Sequence, residues 1–140
     1  MCGIAGVFGA RAPEVVDQML QVLAHRGPDD QHCVAGEGFT LGARRLSIID
    51  LAGGRQPLST PDQNIWACQN GEIYNFPELR TQIQAQGHHF SNRSDTEVLP
   101  HLYQIHGDQM SGQIHGMFAV AVWDKERRRG LLIRDRAGKK

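Results

Sequence analysis

The chain is predicted to fold as an α+β domain in which a layer of two β-sheets is flanked by outer helices, and three observations carry that expectation. Met117-Phe118-Ala119-Val120-Ala121-Val122-Trp123 is apolar on both alternating faces, as in a strand covered on both sides. A polar turn at 124–130 leads into Leu131-Leu132-Ile133, which supplies an antiparallel hairpin partner. Upstream, short strand-like segments are interspersed with apolar residues at helical spacing.

Taken in order, residues 3–8 alternate small with β-branched or aromatic types, which suits a buried strand carrying Cys2 at its leading edge. Pro13 opens a helix whose Val16, Met19, Leu20 and Leu23 share one face, and the helix ends near His25, ahead of Gly27-Pro28. Segments 31–35 and 39–43 read as strands joined by Gly36-Glu37-Gly38, and 65–69 reads as another strand leading into Asn70-Gly71. Asn75 is placed to cap a second helix, with Pro77 in its first turn and Gly87 past its end. Ser94-Asp95-Thr96-Glu97 has the spacing of a capping box ahead of Val98, Leu102 and Ile105, which predicts a third helix. Pro100 conflicts with a helix interior, where it would cost ~3 kcal/mol unless the helix kinks or starts later.

A chain of 140 residues fits one domain, able to bury roughly two-thirds of its unfolded surface. Fifteen Lys+Arg against fifteen Asp+Glu leave no global field to attract nucleic acid or an anionic membrane. The basic run Lys125-Glu126-Arg127-Arg128-Arg129 lies between apolar segments and reads as a solvated turn. Cys2, Cys33 and Cys68 make no CxxC pair, which argues against structural zinc and for a reducing compartment, the cytoplasm. No apolar run approaches the ~20 residues of a membrane span. His88 and His89 are adjacent, and His101, His106 and His115 lack the i, i+4 spacing of a helical metal-ligand pair, so surface or hydrogen-bonded core histidines are expected and no metal site. There is no repeat or linker to mark a second domain. The final hairpin is followed by only a few residues after Arg134, so the sheets are expected to be incomplete at the C-terminus.

The chemistry-bearing residues begin with Cys2. Once Met1 is removed, its thiol and its own α-amine share one carbon, giving a nucleophile and a base from a single residue. Taken alone, a cysteine at position two reads first as an inert small hydrophobe. Arg44-Arg45 sets a guanidinium, whose planar fork suits a carboxylate, beside apolar residues. Asn70-Gly71-Glu72 offers a side-chain amide, an N–H with no Cβ to block approach, and a carboxylate. An amide and an N–H converging on one point would form an oxyanion hole, but Asn-Gly is also the commonest two-residue hairpin turn. Asp95 could fix an ammonium, or serve as a first-turn acid favoured by the helix dipole.

Together the motifs Cys2-Gly3-Ile4-Ala5-Gly6, His25-Arg26-Gly27-Pro28-Asp29, Arg45-Leu46-Ser47-Ile48-Ile49-Asp50, Gln56-Pro57, Asn70-Gly71-Glu72-Ile73-Tyr74-Asn75, Ser94-Asp95-Thr96-Glu97, Gly116-Met117-Phe118-Ala119 and Arg134-Asp135-Arg136-Ala137-Gly138-Lys139 run in one order. In that order the chain resembles, from end to end, the glutaminase domain of glutamine-hydrolysing asparagine synthetases, a branch of the class II, N-terminal-nucleophile glutamine amidotransferases. The resemblance implies the N-terminal-nucleophile hydrolase fold, a four-layer α/β/β/α sandwich of two antiparallel sheets. It also implies that Cys2 is the nucleophile, that Arg45 binds the glutamine α-carboxylate, that Glu72 and Asp95 bind the α-ammonium, and that the Asn70 side chain and the Gly71 N–H hold the oxyanion. Residues 1–140 would then be a truncated amidotransferase domain carrying no cofactor of its own. The C-terminal synthetase domain, where Mg-ATP activates aspartate for amidation, would be missing, and a homodimer is the candidate assembly of the full-length form. Two other readings stay open: the same glutaminase chemistry serving a sugar or peptide acceptor, and a non-catalytic truncated remnant.

Overall fold

The computed structural model describes residues 2–46 and 53–140. Met1 and the Ser47-Ile48-Ile49-Asp50 part of the arginine motif lie outside the described residues. The elements run β1 (Gly3–Phe8), α1 (Pro13–Val22), β2 (Asp30–Gly36), β3 (Phe39–Arg45), β4 (Leu58–Ser59), β5 (Ile65–Ile73), α2 (Phe76–Ala85), α3 (Val98–His106), β6 (Gly116–Asp124) and β7 (Arg129–Arg134), with 3-10 segments after α1 (Leu23–His25) and α3 (Gly107–Gly112).

Two antiparallel sheets form, one ordered β1-β3-β2 and the other β4-β5-β6-β7. Strand periodicity explains how they stack. On β3, Thr40, Gly42 and Arg44 face outward: the Thr40 hydroxyl accepts a bond from the Ala12 N–H ahead of α1 at 2.9 Å. A Cβ on Gly42 would stand 2.7 Å from Leu20 Cδ1 and 2.9 Å from Val16 Cγ1, so α1 packs directly on this sheet. The intervening Phe39 and Leu41 face the other way and meet Cys68, Ala121 and Trp123 between the sheets. On β5, Trp66 and Cys68 belong to this inter-sheet layer, whereas Ile65, Ala67 and Ile73 face α2 and α3 through Leu79, Ile83, Val98, Leu99 and Leu102. The order from α1 through both sheets to α2 and α3 is therefore the four-layer α/β/β/α sandwich, and β6 is covered on both faces, as its composition predicts.

Local details depart from the sequence reading in four places. Asn70-Gly71 is no hairpin turn; it lies inside β5, which pairs with β6 without interruption from Ile65↔Asp124 to Ile73↔Gly116. The predicted capping box does not form. Glu97 turns back to accept bonds from the Ser91 N–H, the Ser91 hydroxyl and the Asn92 N–H at 2.6 to 2.9 Å, and α3 starts at Val98 with no side-chain cap. That later start puts Pro100 in the first turn, where its missing N–H has no helical partner to lose. Asn75 precedes α2 without capping it. Its amide instead donates to Gln113 O and accepts from the His115 N–H, tying α2 to the entry of β6. The short β4 was not predicted, two residues being too few to show a period.

Candidate active site

A cleft opens at one end of the sandwich, and Cys2, Arg45, Asn70, Gly71, Glu72 and Asp95 all line it. They come from four separate segments of chain. Gly3 stands opposite Arg44, so Cys2, immediately ahead of β1, sits beside the end of β3. Its Sγ lies 3.9 Å from the Leu46 carbonyl and it is half-buried. Alternation along β3 then decides between the two arginines. Arg44 faces outward and donates to Gln31 Oε1 at 2.9 Å. Arg45 continues the inward series of Phe39, Leu41 and Ala43 and is buried at the cleft, 7 % exposed.

The same alternation on β5 carries Trp66 and Cys68, which sit between the sheets, on to Asn70 and Glu72 at the open end. The Asn70 Oδ1 is buried and has no hydrogen-bond partner among the described residues. An amide's O and N are exchangeable by rotation, so this position can present an N–H₂ donor to the cleft. On the opposite face Gln69 and Asp95 meet. The β5 edge that pairs with β4 at Leu58↔Ala67 runs past the end of that short strand, and side chains take over its donors. The Gln69 N–H donates to Gln56 Oε1 at 2.7 Å, and the Ile73 N–H donates to Asp95 Oδ2 at 3.0 Å. Backbone alternation turns the Gly71 N–H to this edge as well, between those two bonds.

Electrostatically the cleft joins a buried guanidinium at Arg45 to carboxylates at Glu72 and Asp95, a pattern matched to a zwitterionic amino-acid head group. Burial pushes the Asp95 carboxyl above its usual range, against the opposing pull of bonds from the Ile73 N–H and the Gln69 amide. A cation bound beside it would restore the charge balance. The other thiols are poor nucleophiles by comparison. Burial pushes Cys68 up to about 12, and burial with the Asp17 carboxylate raises Cys33.

Sequence reasoning missed Gln56, Gln69, Ser94 and Thr96 as lining residues. Gln56 and Ser94 stand in the recognised motifs, but Gln69 precedes its motif and is found only through its contacts. Among the described residues no group of three or more His, Cys, Asp or Glu side chains is placed to hold a metal ion. No described helix is long and apolar enough to cross a membrane.

Comparison with known proteins accords with this geometry. Solved structures that share the fold include the following two. Glutamine phosphoribosylpyrophosphate amidotransferase from B. subtilis has a TM-score of 0.78 at 22% identity, over 99% of this chain and 38% of that one. The allosteric regulatory enzyme of purine biosynthesis has a TM-score of 0.69 at 22% identity, over 89% and 36%. Among curated sequences, asparagine synthetase [glutamine-hydrolyzing] 1 of Bacillus subtilis (strain 168) is 43% identical over 89% of this chain and 21% of its own length. Asparagine synthetase [glutamine-hydrolyzing] 2 of the same strain is 40% identical over 99% and 19%, and the asparagine synthetase [glutamine-hydrolyzing] of Asparagus officinalis is 40% identical over 99% and 24%. The chain thus spans about a quarter or less of the length of these relatives. Residues 1–140 match the glutamine amidotransferase domain family throughout, and the chain belongs to that family.

Proposed function

We propose that this domain hydrolyses glutamine to glutamate and ammonia through a thioester on Cys2, as the glutaminase portion of a longer asparagine synthetase. The observation that carries the reading is the convergence of Cys2, Arg45, Asn70, Gly71, Glu72 and Asp95 on one cleft, which brings side chains of opposite charge and a thiol to the same opening.

The chemistry follows from the roles these groups can take. With Met1 removed, the Cys2 α-amine takes the thiol proton, directly or through water, and the thiolate attacks the glutamine carboxamide carbon. Negative charge moves onto the amide oxygen, where the Asn70 side chain and the Gly71 N–H donate to it; removing one such donor elsewhere costs roughly 2.7–4 kcal/mol of transition-state stabilisation. The ammonium formed at the Cys2 amine returns its proton to the departing nitrogen, the C–N bond breaks and ammonia leaves. Water then attacks the γ-glutamyl thioester, the C–S bond breaks, and glutamate dissociates with the thiol restored. Arg45 holds the substrate carboxylate, and Glu72 with Asp95 holds its ammonium, so the reacting carboxamide is positioned at the sulfur.

The curated relatives are named as glutamine-hydrolysing asparagine synthetases, which favours aspartate as the acceptor over a sugar or peptide. Mg-ATP would act in a synthetase domain outside these residues, and no step in this cleft passes through it. Free cysteines at positions 2, 33 and 68 suit a reducing cytoplasm. The test is to follow ammonia and glutamate release from L-glutamine, D-glutamine and L-asparagine. Turnover confined to L-glutamine is expected. Equal turnover of all three, or of none, would refute the reading.

A further inference from the structure

Gln69 is 1 % exposed and lies on the α3 face of β5, immediately before the Asn70-Gly71 pair. A glutamine is out of place on this apolar face unless its polar atoms are satisfied. Its amide nitrogen meets that need, donating at 2.8 Å to Asp95 Oδ2 and at 3.0 Å to the Thr96 hydroxyl, whereas its Oε1 is buried with no hydrogen-bond partner among the described residues. Its own N–H is held at 2.7 Å by Gln56 Oε1, so the residue is fixed at both ends. Asp95 Oδ2 also takes the Ile73 N–H at 3.0 Å, which leaves that oxygen clamped by two donors from one strand.

We propose that Gln69 is a positioning residue for Asp95, its side-chain amide pinning one carboxylate oxygen so that the remaining lone pairs are presented to the cleft. This rests on the glutaminase reading only in naming what Asp95 receives, the substrate ammonium. Asp95 sits in the loop before α3, where the N–H groups of Asp95 and Thr96 also turn to its carboxyl, and the Gln69 and Ile73 clamp ties it in addition to the rigidity of the sheet. The donated bond also favours the charged carboxylate against its burial, so ammonium binding and the ionisation of Asp95 are coupled through Gln69. Packing alone would be served as well by leucine; this coupling would not.

The experiment compares the wild-type full chain with Gln69→Leu, which deletes the donor, and with Gln69→Glu, which keeps shape and sets a second acid against Asp95. Two readouts are taken: the titration of the Asp95 carboxyl carbon by NMR, and the pH profile of kcat and KM for glutamine. Both substitutions should move the Asp95 titration upward, Gln69→Glu further because two adjacent carboxylates compete for a proton. KM should rise about tenfold in Gln69→Leu, the equivalent of one lost bond to a charged group, with kcat changed by less than about threefold. An Asp95 titration unmoved in both variants would overturn the proposal, as would a loss confined to kcat. If the wild-type chain hydrolyses no glutamine, the functional reading falls, while the titration still decides whether Gln69 controls Asp95. Gln69→Glu, being isosteric, answers the question should Gln69→Leu fail to fold.

Discussion

Gly71→Ala is the substitution whose cost the structure sets most tightly. Gly71 has φ +149°, a backbone conformation that residues with a Cβ rarely adopt. A Cβ built there would stand 2.0 Å from the Met117 carbonyl oxygen and 2.6 Å from the Phe118 Cα, both backbone atoms of the neighbouring strand. Neither can swing aside, so β5 and β6 must separate around the Gly71↔Phe118 pair. Backbone strain at such a position costs about 1–3 kcal/mol. Loosening two ladder hydrogen bonds adds about 1–3 kcal/mol. The midpoint, about 4 kcal/mol, is a large share of the roughly 5–15 kcal/mol of a typical domain and corresponds to a fall in Tm of roughly 12–20 °C at this size. Thermal unfolding of the full chain followed by circular dichroism measures it. A Tm within about 3 °C of wild type would show that the β5–β6 contact is looser than described and that Gly71 is not held against Met117.

Two further outcomes follow from the cleft. Asn70→Ala should lower kcat for glutamine roughly a hundred- to thousand-fold, as for other single oxyanion donors, with little change in Tm; a loss below threefold would leave Asn70 no role beyond the strand. Asp95→Asn should raise KM at least tenfold while flattening the pH dependence of stability. Burial raises the folded-state value of Asp95 above its ordinary 3.8, so the folded chain retains a proton there that the unfolded chain has released. The stability this confers is fully present below 3.8 and is lost as pH rises through the folded value. Denaturant midpoints measured across that acid range should therefore fall less with rising pH in Asp95→Asn than in wild type. Parallel curves would refute the assignment.

Much of the architecture was legible because its signals are local. The alternation that predicts a strand at 3–8 and the Pro13 start of α1 both coincide with the observed Gly3–Phe8 and Pro13–Val22. The doubly apolar β6 led directly to the two-sheet layer. What was misread turned on contacts between distant residues. Asn70-Gly71 has the chemistry of a turn, and only pairing with β6, some 47 positions away at Gly71↔Phe118, makes it a strand interior. Ser94 to Glu97 has the spacing of a cap, yet Glu97 finds better donors in the preceding loop. The six candidate residues were legible as motifs, and for three of them the place in the cleft follows from period two: Arg45, Asn70 and Glu72 extend the inward-facing series of their strands to its open end. Gln69 escaped notice because a single buried glutamine carries no periodic signal. Its importance lies in Asp95 and Thr96, 26 and 27 positions further on.

The proposed chemistry stands or falls on Cys2, freed of Met1, being the nucleophile. The most direct measurement mixes the full chain with glutamine, quenches it in acid within a turnover and maps the N-terminal peptide by mass spectrometry. The expected peptide begins at Cys2 and carries one γ-glutamyl group removable by hydroxylamine, with neither adduct nor ammonia release in Cys2→Ala. Undiminished turnover in Cys2→Ala, or full activity in protein that retains Met1, would contradict it.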